Sequence, residues 1–247
     1  MTASIMIVTY NRVELTKQTL ECLFENTDYP FNLIFVDNAS EDNTIEYLEK
    51  FCADKLGHNE FFKGFKIQKN PKNLGIAVGR NQALLLAEDE WLVTLDNDVC
   101  IPKGWLTECI DIIKKNPKYG MIGVNMENVK YSSVSLNGKE FQRKPQGNLG
   151  TACAVFHRNF HKMLGFFNTE YGLYGEEDAD MGMRARVVGY ELGYIKENGK
   201  HLGEGANDVG EYRQFKTDSH KNNLSKFNEN CRAYATGRKP IHISFKS

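Results

Sequence analysis

The chain has 247 residues, 26% of them charged and 41% apolar, with 31 Lys plus Arg against 32 Asp plus Glu for a net charge of −1. That length buries enough apolar surface for one sizeable α/β domain without disulfides or a structural metal. The balanced charge argues against a protein that lives on a polyanion, which carries a basic excess, and no stretch approaches the roughly 18 apolar residues that span a bilayer.

In chain order, the segment before Tyr10 has no basic region and no long apolar core, so it does not read as a secretory signal. Ser4–Thr9 is a short run dense in Ile and Val, which predicts a buried parallel strand. Asn11 is placed to cap the helix that follows, with Val13, Leu20 and Leu23 on its inner face. Asn32–Asp37 predicts a second strand, and Ser40 or Asp42 starts a helix carrying Ile45, Leu48, Cys52 and Leu56 at helical spacing. Phe65–Lys69 predicts a third strand, Gly75–Ala87 a helix, Trp91–Leu95 a fourth strand and Trp105–Lys115 a further helix. This alternation predicts an α/β fold with a doubly wound, mostly parallel sheet.

The second half changes character. Met121–Val134 and Asn148–His157 predict strands around a turn-rich basic stretch at Asn137–Gly147, which adds a small antiparallel second sheet. A helix is expected over Asp178–Val188, a strand over Glu191–Ile195, a helical piece near Gly210–Tyr234 and a last short strand at Ile241–Phe245. The expected organisation is one compact domain over 1–205, with a nucleotide-binding half at 1–100 and an acceptor half at 101–205, and a C-terminal extension over 206–247 packed on it. The six cysteines (Cys22, Cys52, Cys100, Cys109, Cys153 and Cys231) form no Cys-x-x-Cys pair. Buried free thiols in a reducing cytoplasm are expected.

Ligands of doubly wound sheets bind beyond the carboxyl ends of the strands. The predicted strands end on Thr9-Tyr10-Asn11, Asp37-Asn38, Asn70 to Asn73 and Asp96-Asn97-Asp98, so four polar ends converge on one edge. Asp96 and Asp98, two residues apart where an apolar strand breaks into charge, suit a hard divalent cation held against a diphosphate; alone, the triplet also reads as a solvated turn. Asp37 can accept from a nucleobase N–H or a ribose hydroxyl, or make an Asx turn before the next helix. Asn73-Leu74-Gly75 with Gly79-Arg80-Asn81 opens a helix where backbone and Arg80 can approach phosphate, or is simply a tight loop with small packing residues. Glu176, Glu177, Asp178 and Asp180 exceed what a helix N-terminus needs for capping; mutual repulsion and partial burial can shape one of them into a base. His201 follows a predicted strand and is a candidate metal ligand or an ordinary surface histidine.

This ordered set resembles the non-processive, inverting family 2 glycosyltransferases with the GT-A fold. The likeness covers roughly Ser4 to Gly205 and is carried by Ile5 to Arg12, Val36 to Ser40, Asn73 to Gly75 with Gly79 to Asn81, Leu95 to Asp98, Gly150 to Ala152, Gly175 to Asp180, and His201. The resemblance implies that Thr9, Asn11 and Asp37 hold the nucleoside, usually uridine. Asn73, Gly75, Arg80, Asp96 and Asn97 would line the rest of the donor site. Asp98, with Asp96 and His201, would bind Mn²⁺ or Mg²⁺. Asp178, beside Glu177, would take the proton of the acceptor hydroxyl. The processive members carry a Gln-x-x-Arg-Trp motif and membrane helices; Tyr212-Arg213-Gln214-Phe215 departs from that motif.

The expected reaction is therefore transfer of a sugar from a UDP-linked donor, by direct displacement, to a hydroxyl of a glycan, a protein or a modified nucleic-acid base. Two rivals stand beside it. One is a nucleotidyltransferase that makes the nucleotide-sugar; such enzymes carry a glycine-rich basic loop after the first strand, which Thr9-Tyr10-Asn11-Arg12 is not. The other is a non-catalytic sugar-binding module, which would need no combination of metal ligands, base and nucleotide edge.

Overall fold

The computed structural model describes residues 1–127, 129–145, 147, 149–203 and 211–245. The first half alternates without exception: β1 (Ala3–Thr9), α1 (Val13–Asn26), β2 (Phe31–Asp37), α2 (Thr44–Lys55), β3 (Phe62–Lys69), α3 (Ile76–Leu86) and β4 (Trp91–Leu95). Then follow β5 (Val99–Cys100), α4 (Trp105–Lys115), β6 (Tyr119–Asn125), β7 (Ser133–Leu136), β8 (Lys139–Lys144), β9 (Cys153–His157), α5 (Arg158–Leu164), α6 (Glu177–Val187), β10 (Glu191–Asn198), β11 (Lys200–His201) and α7 (Glu211–Ala235).

The described strands form a sheet in the order β3-β2-β1-β4-β9-β6-β10-β8-β7 and a second, two-stranded sheet of β5 and β11. β3, β2, β1 and β4 run parallel, as do β6 and β10; β9 runs antiparallel between β4 and β6. Helices cover both faces. Leu20, Leu23, Leu48, Trp105 and Ile110 pack from α1, α2 and α4 on one side. Leu84, Phe160, Met181 and Ala185 pack from α3, α5 and α6 on the other. Burial on two faces is why β1 and β4 are continuous apolar runs with no alternation.

Several expectations change. Asn11 does not cap α1. Asn11 and Arg12 both take left-handed backbone, φ 55° and 65°, and the first-turn Val13 N–H is capped from the next loop by Asp42 Oδ2 at 2.8 Å. The Asn11 carboxamide instead accepts the Glu41 N–H at 2.8 Å. The reason is sheet pairing: β1 and β2 end side by side at Thr9 and Asp37, so the two following loops bond to each other, and the second one caps α1. The expected strand Met121–Val134 is broken after Asn125, whose side chain holds the Val129 carbonyl and the Glu127 N–H. The basic stretch at 137–147 contains β8, the inner strand of a hairpin with β7. Asn148 lies outside the described residues, and the strand expected from it begins at Cys153. The expected strand at Ile241–Phe245 is a single bridge from Ile243 to Gly165. Gly210 and the residues before it back to 204 also lie outside the described set.

The cysteine expectation is corrected too. Cys22 of α1 and Cys100 of β5 form a disulfide, with Cα atoms 5.6 Å apart; Cys52, Cys109, Cys153 and Cys231 are free. The two residues are 78 positions apart, and only the packing of β5 across α1 brings them together, so no local spacing announces the pair. Among the described residues no helix is long and apolar enough to cross a membrane.

Candidate active site

β1 stops at Thr9, fully buried, whose hydroxyl donates to Asp37 Oδ2 at the end of β2 at 2.8 Å. Asp37 also accepts the Ser40 N–H at 2.8 Å, which turns the chain back beside Asn11. Asn38 accepts from Asn70 Nδ2 at 2.9 Å and donates to the Gly75 carbonyl at 3.3 Å, tying the end of β3 and the entry to α3 to β2. Gly75 has φ 90°, and a Cβ there would sit 2.7 Å from the Leu173 backbone, so this approach needs glycine. Asn73 Oδ1 accepts the Gly75 N–H at 2.9 Å.

These ends open on a cavity of about 1160 Å³. It is lined by Thr9, Asn11, Asn73, Arg80, Asp96, Asn97, Asp98, Glu177, Asp178 and His201. Two of the residues singled out in the sequence stand behind the wall. Asp37 is 2% exposed and buttresses Thr9 and Ser40; Gly75 shapes the loop.

Asp96-Asn97-Asp98 follows β4, anchored by the Asp96 N–H on the Ala152 carbonyl at 2.8 Å. The two carboxylates differ in surroundings. Burial and the charge of Asp98 raise the pKa of Asp96 above its ordinary value, against the opposing Arg80. Burial also acts upward on Asp98, but His201, Arg12 and Lys216 outweigh it and hold Asp98 low. The surroundings of the two carboxyls thus push them in opposite directions. Arg12 Nη1 lies 3.2 Å from Asp98 Oδ2, and His201 Nδ1 lies 3.8 Å from Asp98 Oδ1. The short β5–β11 ladder, with His201 opposite Val99 and the Leu202 N–H on the Asp98 carbonyl at 2.7 Å, makes that pair.

Arg80, 5% exposed, donates to Asp96 Oδ1 at 2.9 Å and to Glu177 Oε1 at 3.1 Å. Its guanidinium also lies over the Phe167 ring, 5.4 Å from the centroid. This cation is consumed by two carboxylates, and it joins the first half of the chain to α6. Glu177 is further held by the Gly175 N–H at 3.1 Å. Burial, with the charge of Asp178, pushes the Glu177 carboxyl up to about 7 despite Arg80. Gly175 and Glu176 take left-handed backbone, φ 97° and 69°, so the chain turns sharply into α6. Asp178, half-buried in the first turn of α6, faces the same cavity.

The sequence reading missed part of the wall. Arg12 closes the Ile5 to Arg12 motif, which by itself assigns it no role. Phe215, Lys216, His220 and Phe227 of α7 also line the cavity, and His220 Nδ1 lies 3.0 Å from Glu176 Oε1. Lys216, His220, Asn223, Phe227, Asn230 and Tyr234 recur every three or four positions, which is one helix face. That spacing is visible in the sequence. The stripe is mostly polar, however, and a search for apolar periodicity passes over it.

A carboxylate suits Mg²⁺ or Mn²⁺ and an imidazole suits first-row transition metals, so the mixed pair fits a first-row divalent cation. Among the described residues no group of three or more His, Cys, Asp or Glu forms a metal cluster. Cations that take one or two protein ligands complete their shell with water and substrate phosphate, so the residues present fit that kind of site.

A sequence model described as "Glycosyl transferase family 2" matches residues 4–167. Poly-beta-1,6-N-acetyl-D-glucosamine synthase of Staphylococcus epidermidis is 26% identical over 207 residues, which are 77% of this chain and 47% of that one. A mannosyltransferase from Pyrobaculum calidifontis, solved with GDP-Man and Mn²⁺, superposes with a TM-score of 0.66 at 17% identity over 97% of this chain and 70% of its own. S. aureus TarS 1-349, solved with UDP, gives a TM-score of 0.60 at 22% identity over 80% and 59%. The chain thus spans about half the length of the curated synthase.

Proposed function

The chain belongs to glycosyl transferase family 2, and from that premise we propose that it moves a sugar from a nucleotide-sugar donor, UDP-linked, to an acceptor hydroxyl with inversion at the anomeric carbon. One observation carries this reading. A single cavity has a polar strand-end wall (Thr9, Asn11, Asn73), an acid wall on α6 (Glu177, Asp178), and the Asp98–His201 pair between them.

In this reading Thr9 and Asn11, set by Asp37 and Ser40, hold the nucleoside. Asp98 and His201 hold Mn²⁺, which when bound supplies Lewis-acid stabilisation to the leaving diphosphate. Lys216 and Arg12 add positive charge beside Asp98. Arg80 acts by orientation, aligning Asp96 and Glu177. Asp178 accepts the acceptor proton as the new glycosidic bond forms, and Glu177, whose carboxyl is pushed toward neutrality, limits the charge beside it. No separate nucleophile is invoked, so a single displacement inverts the anomeric centre. TarS with UDP and the GDP-Man mannosyltransferase support a nucleotide-linked donor. The acceptor is a glycan, a protein or a modified nucleic-acid base.

Thermal shift with UDP-N-acetylglucosamine and with GDP-mannose, each with and without Mn²⁺, tests the donor. A ligand at 100 times its Kd stabilises by about 2.7 kcal/mol. Mn²⁺-dependent stabilisation by the uridine donor is expected. Stabilisation by GDP-mannose alone overturns the uridine assignment, and binding unaffected by EDTA overturns the roles of Asp98 and His201.

A further inference from the structure

The segment that carries Asp98 is two residues of strand and a turn, yet it must hold a carboxylate against His201. A two-residue ladder between β5 and β11 is weak alone. The structure backs it with α1. Thr16 Oγ1 accepts from Asn97 Nδ2 at 3.0 Å. Thr19 Oγ1 accepts the buried Val99 N–H at 3.1 Å. Cys22 is bonded to Cys100. Thr16, Thr19 and Cys22 are spaced by three, on one face of the helix. Arg12, where α1 begins, reaches Asp98 itself. Positions 97 to 100 are therefore fastened rung by rung to α1, while the far side of β5 carries Lys200 and His201. Of the rungs, only the disulfide is covalent, and only it responds to redox chemistry.

We propose that Cys22 and Cys100 are positioning residues for the Asp98–His201 cation site, and that reducing their disulfide weakens divalent-cation binding. This rests on the metal reading given above. The chemistry is an exchange: the S–S bond takes two electrons and two protons to give two thiols, while a dithiol reductant gives up the same and becomes a cyclic disulfide. Cys100 is half-buried and Cys22 is 7% exposed, so attack enters on the Cys100 sulfur. Once the bond opens, the segment keeps its hydrogen bonds from Asn97 to Thr16, from Val99 to Thr19 and from Asn26 to the Ile101 carbonyl, and its short ladder to β11, but β5 is no longer covalently tied to α1.

The experiment uses the full chain purified without reductant. Alkylation and peptide mapping come first, expecting a Cys22–Cys100 cross-linked peptide; two alkylated thiols at these positions overturn the proposal. Mn²⁺ affinity is then measured by calorimetry and by the electron paramagnetic resonance of bound Mn²⁺, with UDP present. Oxidised protein, protein reduced with dithiothreitol and freed of it, and C22S/C100S are compared. The expected result is at least fivefold weaker Mn²⁺ binding in the reduced and variant forms. Far-UV dichroism should be unchanged, and reoxidation should restore affinity in the wild type only. Affinities within twofold across the three forms overturn the positioning role while leaving the metal reading intact. Absence of Mn²⁺ binding in the oxidised protein overturns the metal reading and this proposal with it. Thr19→Val, which loosens the same rung system without touching sulfur, should weaken Mn²⁺ binding in the oxidised protein; an unchanged affinity there overturns the role of the α1 face.

Discussion

Asp178 and Arg80 divide chemistry from support. Asp178 sits in the first turn of α6 with its Oδ1 accepting the Ala179 N–H at 2.6 Å, and it lines the cavity half-buried. Asp178→Asn keeps the shape and removes the carboxylate proposed as the base. Turnover should fall by at least 10²-fold, within the range set by general-base catalysis, while calorimetry shows donor affinity within threefold of wild type. A variant that turns over at the wild-type rate moves the base elsewhere. Arg80 is different, because its buried guanidinium pairs with the buried Glu177 and with Asp96, whose side chain is 31% exposed on the cavity. Arg80→Met leaves two carboxylates without their cation, and breaking a buried pair from one side costs about 3–5 kcal/mol. Urea unfolding should show that loss, and Arg80→Lys should recover only part of it, since an ammonium cannot present two arms to two carboxylates.

At the level of elements, the two ends of the sheet have different work. The carboxyl end holds the site; the opposite end is tied down by Asp89, in the turn before β4. Asp89 accepts from the hydroxyls of Thr2 and Ser4 and from Asn32 Nδ2, joining the starts of β1 and β2. Burial raises the Asp89 pKa, but those hydrogen bonds and Arg158 bring it below the ordinary 3.8. A carboxyl depressed in the folded state adds stability above its unfolded value and loses it as pH falls through the folded one. Asp89→Asn should therefore be destabilised at pH 7, with the gap to wild type closing below about pH 4. Urea midpoints at pH 7 and pH 3 measure it; a gap that widens in acid contradicts the assignment. α7 is docked by a similar logic. Tyr234 Oη donates to Asp180 Oδ2 at 2.9 Å, Asn230 donates to Tyr171 Oη at 2.8 Å, and Asn223 donates to the Tyr171 carbonyl at 2.8 Å. Tyr234→Phe removes two hydrogen bonds, the one donated to Asp180, which pairs with Arg184, and the one accepted from Asn168 Nδ2 at 3.4 Å, and a hydrogen bond to a charged partner is worth about 1.5–3 kcal/mol. Since the same helix brings Lys216 and Phe227 to the cavity, donor affinity should fall with stability. A stable variant with unchanged donor affinity would separate the docking from the site.

For the molecule as a whole, the cavity of about 1160 Å³ exceeds the usual range of about 300–1,000 Å³ for small-ligand pockets, the room that the proposed transfer needs for two substrates. Its two sides come from different halves of the chain, joined by Arg80 and by β11 on β5. The first-half order of strands and helices was legible because β1, β2 and β4 are largely apolar runs closed by polar residues, the edge strand β3 carries Phe65 and Ile67 between lysines, and each helix carries its own buried stripe. That local pattern also gave the edge where Thr9, Asn73 and Asp96 to Asp98 meet. Legibility failed where a residue's partner is distant: Asp42 rather than Asn11 caps α1 because two parallel strands end side by side, and Cys22 met Cys100 across the packed layers.

Residue type and spacing by themselves determined the alternating α/β order, the polar strand ends and the acid cluster, because these depend on periodicities of two and 3.6 residues that any stretch carries within itself. The tertiary structure alone decided that Asp37 stands behind the wall, that Arg80 is taken by two carboxylates, that α7 closes one side of the site through a polar stripe, and that a disulfide backs Asp98. Those outcomes depend on which surfaces burial forces together, and buried polar groups take whatever partner the packing brings within hydrogen-bond reach.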